Sequence, residues 1–357
     1  MAATWLLLLA ICESIDCITC ELNYDWRFSW FEVLAAKESH SKKPNEVRYT
    51  PAWASLDSRP LPQWYKDAKF GIFMHWGVFS VTELGHPSFE LRYHQNQPEE
   101  IAYMRNNYRP GTTYTDLCRD FTAHYFNATQ WIEMYEKAGA RYIVPISKHL
   151  EGFCNWDTKY SPRWNSMDCG PKRDLIGELA AATKKSKKMK FGVYHGMMDV
   201  LNPIWQQDHK NKLKTNNFVI EKTTPQLHEL VTKYKPELIW SDADYDASWE
   251  YWNSTGFLAW LYNDSPVKDT VVVNDRWGQQ THCKHGGFLT CHDRYNPKVL
   301  QKRYFESCQT STTKGWAYNK TGVIDDVLTP TDALTLLIQV CNNVSIILCT
   351  AQDDFIA

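Results

Sequence analysis

The sequence predicts an α/β protein, a (β/α)8 TIM-like barrel, on three observations. Short apolar runs recur along the chain with helical patterns between most of them. No Gly-rich phosphate loop follows any of these runs, which disfavours a doubly wound sheet. In Glu237-Leu-Ile-Trp-Ser-Asp242 an apolar run ends abruptly at a carboxylate, and the carboxyl ends of barrel strands are where chemistry is done. Asp242 is therefore the first catalytic candidate. A strand-end Asp that only caps the next turn is the plainer alternative.

The elements follow in order. Pro51, Pro60 and Pro62 keep the chain extended before a short helical stretch, Trp64 to Lys69, that delivers it into strand one, Phe70 to Trp76. A long polar and aromatic excursion runs to about Phe126, and an amphipathic helix near Ala128 to Ala138 ends at Gly139. Strand two is Tyr142 to Ser147, followed by Lys148-His149 and a helix from Asp174 to about Lys187. Strand three is Phe191 to His195, a helix spans Pro225 to Tyr234, and strand four is Leu238 to Asp242. The remaining strands are Val271 to Asp275, Gly287 to Cys291, a weak seventh at Gly315 to Tyr318, and Val344 to Cys349. The last is preceded by a helix over Asp332 to Cys341.

Composition narrows the function classes. The 39 basic and 41 acidic side chains leave a formal charge of −2 with no single-sign block, so neither nucleic acid nor an anionic membrane surface is called for. Aromatic residues set beside polar ones suit a carbohydrate site, where flat apolar faces alternate with hydroxyl-directed hydrogen bonds. Residues 1–20 read as a probable signal peptide, too short to span a bilayer, 21–48 as a lead segment and 49–357 as the barrel domain. Eleven Cys and the acceptors Asn127, Asn253, Asn263, Asn319 and Asn343 agree with a secreted or lysosomal glycoprotein. Cys154 with Cys169, and Cys283 with Cys291, are close enough to bridge, although spacing does not fix connectivity.

Aligned strands would gather His75, His149, Tyr194, His195, Trp240, Asp242, Asn274-Asp275-Arg276 and His292-Asp293 at one mouth. Two carboxyl groups across a sugar can act as nucleophile and acid/base, about 5 Å apart in a retaining enzyme. No His pair has the helical spacing of a zinc site, and no metal or organic cofactor is expected. His195 suits a satisfied core position better than a ligand, and Arg276 could instead be an ion pair with Asp275.

Several long motifs carry a resemblance: Tyr49 to Pro62, Phe70-Gly-Ile-Phe-Met-His75-Trp-Gly, Ser147-Lys-His149-Leu-Glu-Gly-Phe153, Trp164 to Leu175, Trp240-Ser-Asp242, and Tyr251 through Gly278. In this order they resemble the α-L-fucosidases of glycoside hydrolase family twenty-nine. The resemblance implies a retaining exo-hydrolase that releases terminal α-L-fucose from glycoproteins or glycolipids through a covalent fucosyl-enzyme. It places the nucleophile on Asp242 and the acid/base on Asp293, with Glu306 as second choice. It places sugar contacts on His75, His149, Tyr194, Trp240, Arg276 and Trp316. A degenerate barrel that binds fucosylated glycans without cleaving them is the alternative.

Three departures from that family bear on the site. His149 is followed by Leu150 where the family has a second His. Gly85-His86-Pro87-Ser88 stands where the family has Gly-Ser-Glu-Trp, with Glu90 or His86 as the available substitutes. Asn342 to Thr350 departs from the strand-eight motif, and the family's C-terminal β-sandwich is expected to be absent. An apolar flank left bare by that absence would favour homo-oligomers or instability.

Overall fold

The computed structural model describes residues 47–350 except 86, 298, 300, 313, 314, 330, 333, 334 and 336–343, and gives the backbone alone for 344–350. The expected signal segment, the lead segment up to residue 46, His86, Asn343 and most of the helix expected over Asp332 to Cys341 lie outside the described residues.

Among the described residues, seven parallel strands form one sheet. They are β1 (Phe70–Met74), β2 (Tyr142–Lys148), β3 (Lys190–Gly196), β4 (Leu238–Asp242), β5 (Val272–Val273), β6 (Phe305–Thr310) and β7 (Val344–Thr350). Their order is β5-β4-β3-β2-β1-β7-β6, so the first and last of these strands lie side by side. Register aligns the site-bearing strands: Tyr194 pairs with Trp240, and Gly196 with Asp242.

The two faces of the sheet follow the period of two that extended backbone imposes. Phe73, Val144, Tyr194, Trp240 and Val272 pack together on one face with Tyr65, Tyr142 and Phe288. Their alternates Ile72, Met74, Ile143, Val193, Ile239 and Val273 face the helices. At Gly71 a Cβ would lie 2.3 Å from the Tyr142 ring, so the aromatic packing on the first face leaves room there only for glycine.

The helices form where apolar residues recur at helical spacing behind a polar cap. Helix Leu175–Lys185 buries Leu175, Ile176, Leu179 and Ala182, and the Asp174 side chain accepts from the Gly177 N–H at 2.9 Å. Burial of each such Leu or Ile contributes about 1.5–3 kcal/mol. Helix Thr224–Tyr234 buries Leu227, Leu230 and Val231 and stops where Lys235 turns left-handed at φ 56°. Helix Ala128–Lys137 is capped by Asn127, which accepts from the Gln130 N–H. None of the described helices is long and apolar enough to cross a membrane.

Two expected strands and one expected bridge differ. The strand expected at Gly315 to Tyr318 is a loop, whose Trp316 N–H reaches the Gly85 carbonyl at 3.2 Å, and the strand in that part of the chain is β6, Phe305–Thr310. The segment expected as strand six is irregular. Its Gly287 and Phe288 N–H groups donate to Val273 of β5, and Leu289 bridges in parallel to Phe305 of β6. Cys169 is joined to Cys118, with Cα atoms 5.8 Å apart, so Cys154 is left as a free, buried thiol. The expected Cys283–Cys291 disulfide is present.

Candidate active site

The carboxyl ends of β1 to β5 open onto a cavity of about 520 Å³. Asp242, the last residue of β4, sits in its wall with both carboxyl oxygens engaged. Arg276 Nη1 donates to Oδ1 at 3.0 Å, and the Tyr194 hydroxyl donates to Oδ2 at 2.8 Å. Burial pushes this carboxyl up. The Arg276 charge, the hydrogen bonds from Tyr194 and Arg276 and the Ala243 N–H outweigh burial and hold it below the ordinary carboxylate value. Ala243 itself is buried with φ 53°, a left-handed conformation that an L side chain rarely adopts, directly after the carboxylate.

Arg276 ties the acidic groups together. While Nη1 holds Asp242, Nη2 stands 2.8 Å from Asp293 Oδ1, so two carboxylates share one guanidinium. The guanidinium also lies 4.6 Å over the Trp240 ring, and Nε donates to Thr290 Oγ1. Asp275 is not its partner. That buried carboxylate accepts the N–H groups of Cys283, Thr290 and Cys291, and so anchors the disulfide loop.

Aromatic and imidazole rings line the same cavity beside Asp242. Tyr194 stacks on Trp240 at 5.8 Å and on His149 at 5.6 Å, and His75 lies 5.7 Å from both Tyr194 and Trp316. Burial, assisted by the neighbouring His149, holds His75 at about 3 against the pull of Asp242. Burial holds His149 at about 4, against the pull of Asp242 and a hydrogen bond to the Pro87 backbone. Both rings are thus neutral at physiological pH and able to direct hydrogen bonds at hydroxyl groups.

Of the residues singled out from sequence, His75, His149, Tyr194, Trp240, Asp242, Arg276, Asp293 and Trp316 all line the cavity. Glu306 does not. It lies fully buried on β6, accepting from Trp240 Nε1 and the Tyr142 hydroxyl, both at 2.7 Å. His195 is a core residue, completely buried with Nδ1 3.0 Å from Ser147 Oγ. Pro87 and Leu150 both line the cavity, whereas Glu90 is buried away from it, 3.1 Å from His94. Tyr245 and His282 also line the wall, and their positions just after β4 and just before Cys283 were the one clue to them. Among the described residues no three His, Cys, Asp or Glu side chains converge as a metal site.

A family model described as alpha-L-fucosidase matches residues 34–351. The chain belongs to the alpha-L-fucosidase family. It is 49% identical over 294 residues to an alpha-L-fucosidase of Branchiostoma floridae, covering 82% of this chain and 66% of that protein. It is 46% identical over 307 residues to the human tissue alpha-L-fucosidase, covering 86% of this chain and 66% of that protein. The chain thus spans 66% of the length of these two relatives. Among solved structures, the Thermotoga maritima alpha-fucosidase bound to a mechanism-based inhibitor superposes with a TM-score of 0.72 at 28% identity. That match covers 87% of this chain and 74% of that one.

Proposed function

We propose that the chain is a retaining glycosidase that releases terminal α-L-fucose from glycoproteins or glycolipids through a covalent fucosyl-enzyme. The observation that carries this reading is the state of Asp242: an ionised carboxylate at a strand end, oriented by Arg276 and Tyr194 and open to the cavity. In this role Asp242 attacks the anomeric carbon while Asp293, across the shared guanidinium, gives a proton to the departing oxygen and then takes one from water. Asp293 has to part from Arg276 as the sugar enters. Neutral His75 and His149 hold sugar hydroxyls, and Trp316 offers an apolar face to a methyl group.

The fold supports the same reading. With β7 beside β1, and residues 287–289 spanning from β5 to β6, we read the sheet as a closed barrel of eight staves around the aromatic cluster. A secreted or lysosomal location follows from the expected signal and the acceptor asparagines.

The second reading is a glycan-binding protein that does not turn over. The wall favours it at one place, where Pro87 and Leu150 present no side-chain donors to the sugar. Release of 4-nitrophenol from its α-L-fucoside, with Asp242→Ala as control, separates the two. Turnover absent in the wild type, with fucose still bound calorimetrically, would leave only the binding reading.

A further inference from the structure

His282 stands at the cavity rim with an acceptor at each ring nitrogen. Nδ1 lies 3.2 Å from the Cys291 carbonyl oxygen, and Nε2 lies 3.1 and 3.2 Å from the two carboxyl oxygens of Asp244. A neutral imidazole has one N–H and cannot donate in both directions, whereas the imidazolium can. The two acceptors belong to different parts of the site: Asp244 follows Asp242 by two residues, and Cys291 precedes Asp293 by two.

The surroundings make this cross-link consequential. Asp244 is completely buried and also takes the Gly278 N–H at 2.5 Å, so it is a fixed post. The loop between Cys283 and Cys291 is closed by its disulfide and anchored by Asp275. Asp293 lies beyond that anchor with 53% of its side chain exposed. The His282 side chain is 33% exposed, so solvent protons reach it.

We propose that His282 is a positioning residue whose doubly bonded imidazolium ties the exit of the disulfide loop, and with it Asp293, to the turn that follows Asp242. The inference rests on the fucosidase reading of the cavity. Burial lowers the proton affinity of the ring, but the hydrogen bond and charge of Asp244, with Asp275 behind it, raise it above the ordinary 6.5. Arg276 works against them. The tie is therefore complete below the unfolded value and is lost as pH rises through the folded one.

The test uses the full chain labelled with ¹⁵N-histidine, the His282 signals being assigned by their absence in His282→Gln. The expected result is that both ring nitrogens carry protons below the ordinary imidazole value, at about pH 5.5. Protection of the amides over residues 283–293, measured against the intrinsic exchange rate at each pH, should then fall about tenfold as the ring deprotonates, with His282→Gln weakly protected at every pH. A ring with one bare nitrogen at about pH 5.5, or exchange in the variant equal to wild type throughout, overturns the proposal. If the variant fails to fold, the wild-type titration and exchange decide alone, with assignment by through-bond correlation. Neither readout needs turnover, so a chain that shows the tie but does not cleave the fucoside sinks the hydrolase reading and leaves the tie standing. With turnover present, His282→Gln is expected to lower kcat with little change in KM and to lose the wild type's alkaline fall.

Discussion

Arg276 Nη1 meets Asp242 Oδ1 at 3.0 Å, joining the carboxyl end of β4 to the turn after β5. Only a guanidinium can hold Asp242 with one terminal nitrogen and Asp293 with the other. Arg276→Lys keeps the charge and loses the fork. Breaking such a buried pair costs about 2–5 kcal/mol, so kcat/KM for the nitrophenyl fucoside should fall about a hundredfold or more. A loss below about threefold would mean the fork is dispensable.

Tyr194 contributes one donor to the same carboxylate. Tyr194→Phe should lower kcat/KM about tenfold, the value of one hydrogen bond to a charged group. It should also move the acidic limb of the pH profile upward, because Asp242 loses a bond that favours its ionised form. An acidic limb that stays in place would remove Tyr194 from this role.

Glu306 and Asp293 are distinguished by location. Burial pushes the Glu306 carboxyl up to about 7, opposed by the hydrogen bonds from Tyr142 and Trp240 that it accepts below the cavity. Glu306→Gln is expected to destabilise the fold by about 1–3 kcal/mol and to retain turnover within about tenfold. Asp293→Asn should slow a fucoside with a poor alcohol leaving group by about 10²–10⁴-fold. The reverse pattern would transfer the acid/base role to Glu306.

Acid should destabilise the folded chain through its buried imidazoles. His75 and His149 titrate at about 3 and about 4 when folded, against 6.5 unfolded. Below the unfolded value, the unfolded chain takes up protons that the folded sites refuse, so stability falls as pH falls from 6.5 towards those values. Asp242, whose folded value is depressed, acts in the same sense lower down: its contribution is present above the unfolded carboxylate value and lost as pH falls through the folded one. Urea midpoints should therefore decline between about pH 7 and about pH 4.5, less so in His149→Gln. A midpoint that rises over this range would contradict the assignment.

Much of the site was legible because strand ends announce themselves. Leu238 to Asp242 is the strand the sequence predicts, residue for residue, since an apolar run cut short by a carboxylate has few other uses. β6 was hidden because its register alternates Glu306, Cys308 and Thr310 with Ser307 and Gln309. Such polar residues enter a core only when partners such as Tyr142 and Trp240 await them, and those partners are far away in sequence. Spacing does not mark Cys118 as the mate of Cys169, for a related reason. The bridge closes over 51 residues, and only the folded excursion after β1 brings the two Cα atoms within reach. His282 carried no periodic signal; its meaning lies in two acceptors that the fold brings to one ring.

Covalent trapping tests the central claim most directly. Incubation with 2-deoxy-2-fluoro-α-L-fucosyl fluoride, followed by peptide mass mapping, should place one fluorofucosyl adduct on Asp242 of the wild type and none on Asp242→Ala. Folded protein that forms no adduct, or that carries it on another residue, would contradict the assignment of Asp242 as the nucleophile.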